Sequence, residues 1–166
     1  MIQCDEQDLM LATNGLYRMF VKSVLQQNGD ERLGNDSDSH AIILIEELIR
    51  SAHVSVDIFC HSLAADVWTN AGVVDAVREA VKHGVTFRVA VQSGACRESR
   101  DLFNGLGIPI RLNGQTQLES NFMIVDRKAF RVEYNFARRM GFAYANKPEF
   151  SEVLNNAFYS IYQAAH

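Results

Sequence analysis

No apolar run in the sequence approaches the ~20 residues that a helix needs to cross a bilayer, so nothing in it reads as a membrane span. The opening stretch, MIQCDEQDLM, is acidic and has no basic segment leading into an apolar one, so it does not read as a secretory leader. Cysteine is scarce: Cys4, Cys60 and Cys96 are odd in number and far apart. That excludes a disulfide framework and implies reduced thiols in the cytoplasm. No Cys/His pair has zinc-ligand spacing, so neither a metal nor any other cofactor is expected. Internal repeats and low-complexity segments are also missing.

What is present is a globular balance, 48% apolar and 22% charged over 166 residues, enough for one domain with a core. The net charge of −4 conceals an asymmetry. Residues 1–60 hold ten acids and four bases, whereas residues 61–166 hold ten acids and twelve bases. Six of those bases, Arg127, Lys128, Arg131, Arg138, Arg139 and Lys147, fall in one segment with a single acid, Glu133. Such a cluster is either a solvated face or a phosphate-binding surface.

Residues 5–27 read as helical, with Asn14-Gly15 either interrupting a first helix or opening a second. The polar stretch 27–39 reads as a linker, giving an N-terminal helical arm over 1–38 and a main domain over 39–166. The main domain alternates. AIILIEELIRSA is an amphipathic helix capped by Ser39 or Asp38, and VSVDIF is a strand. GVVDAVREAVKHG is a helix closed by Gly84, VTFRVAVQ a strand, CRESRDLFNGLG a helix and IPIRLN a short strand. NFMIVD and KAFRVEY follow as strands joined by a tight turn at Asp126-Arg127, and a helix begins near Pro148. The expected fold is α/β, a mixed sheet flanked by helices on both faces, with an N-terminal helical extension. Sites in such sheets lie at the carboxyl ends of the parallel strands. That directs attention to Cys60-His61-Ser62, Gln92-Ser93-Gly94 and the loop before Asn121.

The order and spacing of these pieces over residues 39–163 resemble the phospholipase D superfamily, and in particular its short bacterial members with one catalytic motif per chain. ILIEELIRSAHVSVDIFCHSL, GVVDAVREAVKHGVTFRVAVQ, LGIPIR and ESNFMIVDRKAF carry the resemblance. The family motif is H-x-K-x-x-x-x-D. Here its histidine position holds Glu119, its lysine position Asn121 and its aspartate position Asp126. Lys128 matches a lysine that often follows. The downstream G-S-x-N stretch reads EYNF, where only Asn135 stands near the asparagine, one residue out of step.

The resemblance implies a nucleophilic histidine, a lysine clamp on the phosphoryl oxygens and two chains facing each other across a two-fold axis. This chain lacks both groups. The carboxylate of Glu119 is repelled by a phosphodiester, and Asn121 donates a hydrogen bond but supplies no charge. His61 is the best substitute nucleophile, and because Cys60 alternates with it, one of the two faces the core. Asp126 also has an ordinary role capping its turn. Trp68 reads as a packing residue at a helix start. The leading expectation is therefore a catalytically degenerate binding, adaptor or regulatory subunit, homodimeric through the motif edge and with a protein partner. Two rivals remain: a nucleic-acid-binding module using the Arg127–Lys147 cluster, and a phosphodiesterase or nuclease with an unconventional site on Glu119, Asn121, Asp126 and His61.

Overall fold

The sheet is built from short runs of apolar and β-branched residues that alternate between its two faces. The computed structural model describes residues 6–166. Chain order is α1 (Glu6–Gln27), β1 (Leu33–Asn35), α2 (Asp38–Arg50), β2 (Ser55–Cys60), α3 (Ala65–Trp68), α4 (Ala71–Lys82) and β3 (Thr86–Val91). There follow α5 (Arg97–Gly105), β4 (Ile110–Leu112), β5 (Asn121–Val125), β6 (Ala129–Asn135), β7 (Met140–Tyr144) and α6 (Pro148–Ala164). The seven strands run in the order β1-β7-β6-β5-β2-β3-β4. β2, β3 and β4 are parallel, while β5, β6, β7 and β1 are antiparallel.

Helices cover both faces, unequally. One core joins α2, α3, α4 and α5 to Val56, Ile58, Val89 and Met123, with Trp68 at the end of α3 set edge-on to Phe103. On the opposite face α6 alone packs against Phe59, Phe122, Ile124 and Phe130. The second face therefore stays half open over β6 and β7, as an antiparallel sheet permits.

Four local expectations need correction. The run 27–39, read as a linker, contains β1, which pairs with β7 through Leu33↔Ala143 and Asn35↔Gly141. Helix α1 runs unbroken through Asn14-Gly15, because a single glycine costs a helix only about 1 kcal/mol and Gly15 lies against open space. Strand β7 had no expected counterpart, its five residues being too short for a periodic signal. The cap of α2 is Ser37, whose hydroxyl accepts the His40 N–H at 3.3 Å, and not Ser39 or Asp38.

Helix α1 lies outside α2 and is held by an ion pair network. Val21 and Val24 are buried beneath it, and the Tyr17 hydroxyl donates to the Gly34 carbonyl at 2.9 Å. Arg18 donates to Glu47 at 2.5 Å and to Glu46 at 3.1 Å, and Arg50 donates to Glu46 at 3.0 Å. Burial alone would raise the Glu46 carboxyl, but the two guanidinium groups outweigh it and hold the group below its ordinary range. Arg18→Ala removes the only arginine bonded to Glu47. Breaking a buried pair costs 3–5 kcal/mol, and because Arg18 is one-third exposed we expect about 1–3 kcal/mol in urea unfolding at pH 7. A carboxyl held low stabilises the fold above its unfolded pKa and loses that contribution as pH falls through the folded one. The gap between wild type and Arg18→Ala should therefore narrow as pH drops below about 4.5.

Candidate functional site

Strand β5 runs antiparallel to β2, so the first residue of β5 lies beside the last of β2. Loops that follow the parallel strands converge there. Ser93 donates to the His61 carbonyl through both its N–H and its hydroxyl, each at 2.9 Å. The Gln92 N–H donates to the Cys60 carbonyl at 2.9 Å, and the Gln92 side-chain oxygen accepts the Leu118 N–H at 3.4 Å. The three segments singled out in the sequence thus meet at one end of the sheet.

A chain of polar side chains runs inward from that point. Asn121 accepts the His61 N–H at 2.7 Å and donates to Glu133 on β6 at 3.0 Å. Glu133 accepts from Arg131 at 3.0 Å. Arg131 donates in turn to Asn35 on β1 at 3.3 and 3.1 Å and to the Arg139 carbonyl at 3.3 Å. Arg131 and Glu133 are only 5% and 4% exposed, so the pair is stable only with its hydrogen bonds made. That condition holds: no buried side-chain nitrogen or oxygen among the described residues lacks a partner. Gly141 makes room for it. A Cβ there would lie 2.6 Å from the Val132 carbonyl and 3.1 Å from Arg131.

Above this chain is a cavity of about 210 Å³, walled by Cys60, Trp68, Phe136 and Arg139. Arg139 roofs it by reaching Asp66 on α3 at 2.5 Å and Asp38 at the start of α2 at 3.6 Å. Glu119 is exposed and lines a separate, open cleft with His61, Gln92 and Tyr134. His61 therefore borders both spaces, its ring stacked 6.0 Å from that of Phe136. Cys60 faces the core, as the alternation requires, and burial and the charge of Glu133 push its thiol up to about 12. A thiol so protonated is not a nucleophile near neutral pH.

Asp126 lies at the opposite end of the sheet, about 16 Å from Asn121 along the strand. Its carboxylate accepts the N–H groups of His53 at 2.9 Å, Val54 at 2.7 Å and Ser55 at 2.9 Å, tying the start of β2 to the end of β5. Asp126 and Arg127 have φ of 53° and 58°, the left-handed pair of a type I′ hairpin turn. The carbonyls of Arg127 and Lys128 accept from Asn155 and Ser151 of α6. The motif positions Glu119, Asn121 and Asp126 thus do not assemble into one site, and no three His, Cys, Asp or Glu side chains among the described residues form a metal-binding group.

The basic cluster also divides. Arg127 and Lys128 are exposed at the hairpin turn, and Lys147 lies over the Tyr144 ring at the adjoining end of β7. Arg138 and Arg139 sit at the far end of β6, about 20 Å away. Arg131 is buried between them. Asn135 borders the open cleft, but its side-chain oxygen takes the Arg138 N–H at 3.1 Å. Sequence reasoning missed the roles of Glu133 and Asn35. The available signal was Arg131 and Glu133 two apart in an otherwise apolar strand, which places opposite charges on one face.

No family model matches the sequence, and no curated protein matches it. Solved structures do. Nuc from Salmonella typhimurium, a phospholipase D family member, superposes with a TM-score of 0.61 at 17% identity, covering 75% of this chain and 88% of that one. NucT from Helicobacter pylori gives 0.55 at 12% identity, covering 75% and 89%. TrmBL2, an archaeal chromatin protein whose structure shows a novel mode of DNA binding, gives 0.59 at 11% identity. That match takes in 96% of this chain, which spans 64% of the length of TrmBL2. The chain has the phospholipase D fold.

Two substitutions test the geometry. Asp126→Ala leaves three N–H groups without their carboxylate and should lower stability by about 2–4 kcal/mol in denaturant unfolding. Gly141→Ala pushes β7 from β6 and should lower the melting temperature and shift the Asn121 side-chain amide resonances, while an alanine at Gly15 should do neither.

Proposed function

We propose that this chain is a catalytically silent phospholipase D-like domain that works by binding, as an adaptor or regulatory subunit. One observation carries the reading. Asn121, at the position of the family's lysine, is engaged on both sides by His61 and Glu133, so the phosphate clamp is replaced by a neutral amide inside a satisfied hydrogen-bond chain. Glu119, at the histidine position, points into open cleft rather than toward that chain. A phosphodiester approaching this end meets the exposed carboxylate of Glu119 and no lysine, while Glu133 is paired with Arg131 and Arg139 is held by Asp66 and Asp38. The roofed cavity between Trp68, Phe136 and Arg139 and the open cleft beside it remain as contact surfaces.

A nucleic-acid-binding reading has support of its own. The match to TrmBL2 extends over nearly the whole chain, and Arg127, Lys128 and Lys147 gather at the hairpin end. Three phosphate contacts would give weak binding that falls with salt at a slope of about −3 on duplex DNA. The homodimer that the resemblance implies would bring the clefts lined by Glu119 and Tyr134 together.

Hydrolysis of plasmid DNA and of a chromogenic phosphodiester, in EDTA and with divalent metal, should stay at the level of the buffer blank. Turnover abolished by Glu119→Ala or His61→Ala would overturn the proposal in favour of an unconventional active site. Fluorescence anisotropy with short oligonucleotides tests the second reading. Salt-sensitive binding lost in an Arg127→Ala/Lys128→Ala variant would support it, and no binding at low salt would remove it.

A further inference from the structure

Helix α1 carries apolar side chains on two sides, and among the described residues only one of them is packed. Tyr17, Val21 and Val24 face the body of the protein. On the solvent side Leu9, Leu16, Met19 and Phe20 are 62%, 68%, 69% and 47% exposed. With Ala12 they form a stripe: Leu9 and Leu16 are seven residues apart, as are Ala12 and Met19, the a and d spacing of a paired helix. Leu9, Met10 and Leu11 point in three directions around the axis, yet all are more than half exposed. The first turns of α1 are thus exposed all round, and nearer its middle Ser39 of α2 bonds Asn14 at 3.1 Å.

We propose that this stripe is the surface on which a second copy of the chain docks, α1 against α1 in antiparallel register across a two-fold axis. Self-complementarity favours a second copy over an unrelated partner. In that register Leu9 lies against Met19 and Ala12 against Leu16, and the two-fold repeats both layers, so apolar residues meet apolar ones along the stripe. The area is also of the right order. The four large residues expose roughly 450 Å² per chain, the size of the largest, and often functional, patch on a monomer. Two copies together approach the ~1,000 Å² at which specific interfaces begin. An interface at this small end of the range is expected to be weak, so the dimer should form at micromolar concentration and dissociate on dilution. The stripe is on the far side of α1 from the sheet, so this assembly stands in place of the motif-edge dimer that the resemblance implies and leaves the clefts of both copies open.

Sedimentation equilibrium of the full chain from 1 to 100 µM should show mass rising from 18.7 kDa toward twice that value. Leu16→Asp/Met19→Asp alters only exposed positions, so circular dichroism should be unchanged while the dissociation constant rises at least tenfold. A wild type monomeric at 100 µM would overturn the proposal. So would a dimer that survives Leu16→Asp/Met19→Asp but is lost in Tyr134→Asp/Phe136→Asp, which would place the axis at the motif edge. For the register, Ala12→Cys and Leu16→Cys chains, each also carrying Cys4→Ser, are mixed and oxidised. Disulfides between unlike chains are expected, and predominance of like-chain disulfides would show parallel pairing.

Discussion

The buried ion pair of Arg131 and Glu133 is the constraint around which the site end of this protein is arranged. Two opposite charges almost wholly out of water are tolerable only if each remaining donor and acceptor is matched. That requirement reaches four strands. It fixes Asn121 on β5, recruits Asn35 on β1, uses the Arg139 carbonyl at the start of β7, and demands glycine at 141, where the guanidinium passes. Packing alone would accept many residues at these places, but the charges narrow the choice.

The same arrangement accounts for a neutral side chain at Asn121, the position that the resemblance assigns to a lysine. A lysine beside a buried arginine would add a second positive charge to a site with one carboxylate; an asparagine bridges a backbone N–H and that carboxylate and leaves the charge balanced. Asp126 is independent of this. Its oxygens serve three backbone N–H groups at the other end of the sheet and anchor the start of β2 to the end of β5.

The parts of the fold that were legible were those with a strong local period. The parallel strands, the helices between them, the hairpin turn at Asp126-Arg127 and the opposite orientation of Cys60 and His61 all follow from alternation or turn chemistry, and the order of elements was enough to suggest the fold. What stayed hidden depended on partners remote in sequence. Leu33–Asn35 is three residues with a glycine in the middle, and it is a strand only because β7 offers it an edge. Arg131 looked like a surface cation because a lone arginine in a strand usually is one; its burial depends on Asn35, 96 residues earlier. The basic cluster was dense in sequence but is spread along a seven-residue strand, which carries its ends apart.

The 96-residue separation between Arg131 and Asn35 also bears on how the chain reaches its native state. The parallel strands β2 and β3 with α2 and α4 can collapse on local and medium-range contacts. Strand β1 has nothing to pair with until β7 exists, and the guanidinium of Arg131 keeps its hydration until the amide of Asn35 closes over it. Strand β1 therefore stays unpaired until almost the whole of the sequence that follows it is in place, although α1 and α2 can pack together early. Pairing of β1 with β7 spans most of the sequence, so that edge of the sheet can be completed only after the middle of the chain has formed its strands.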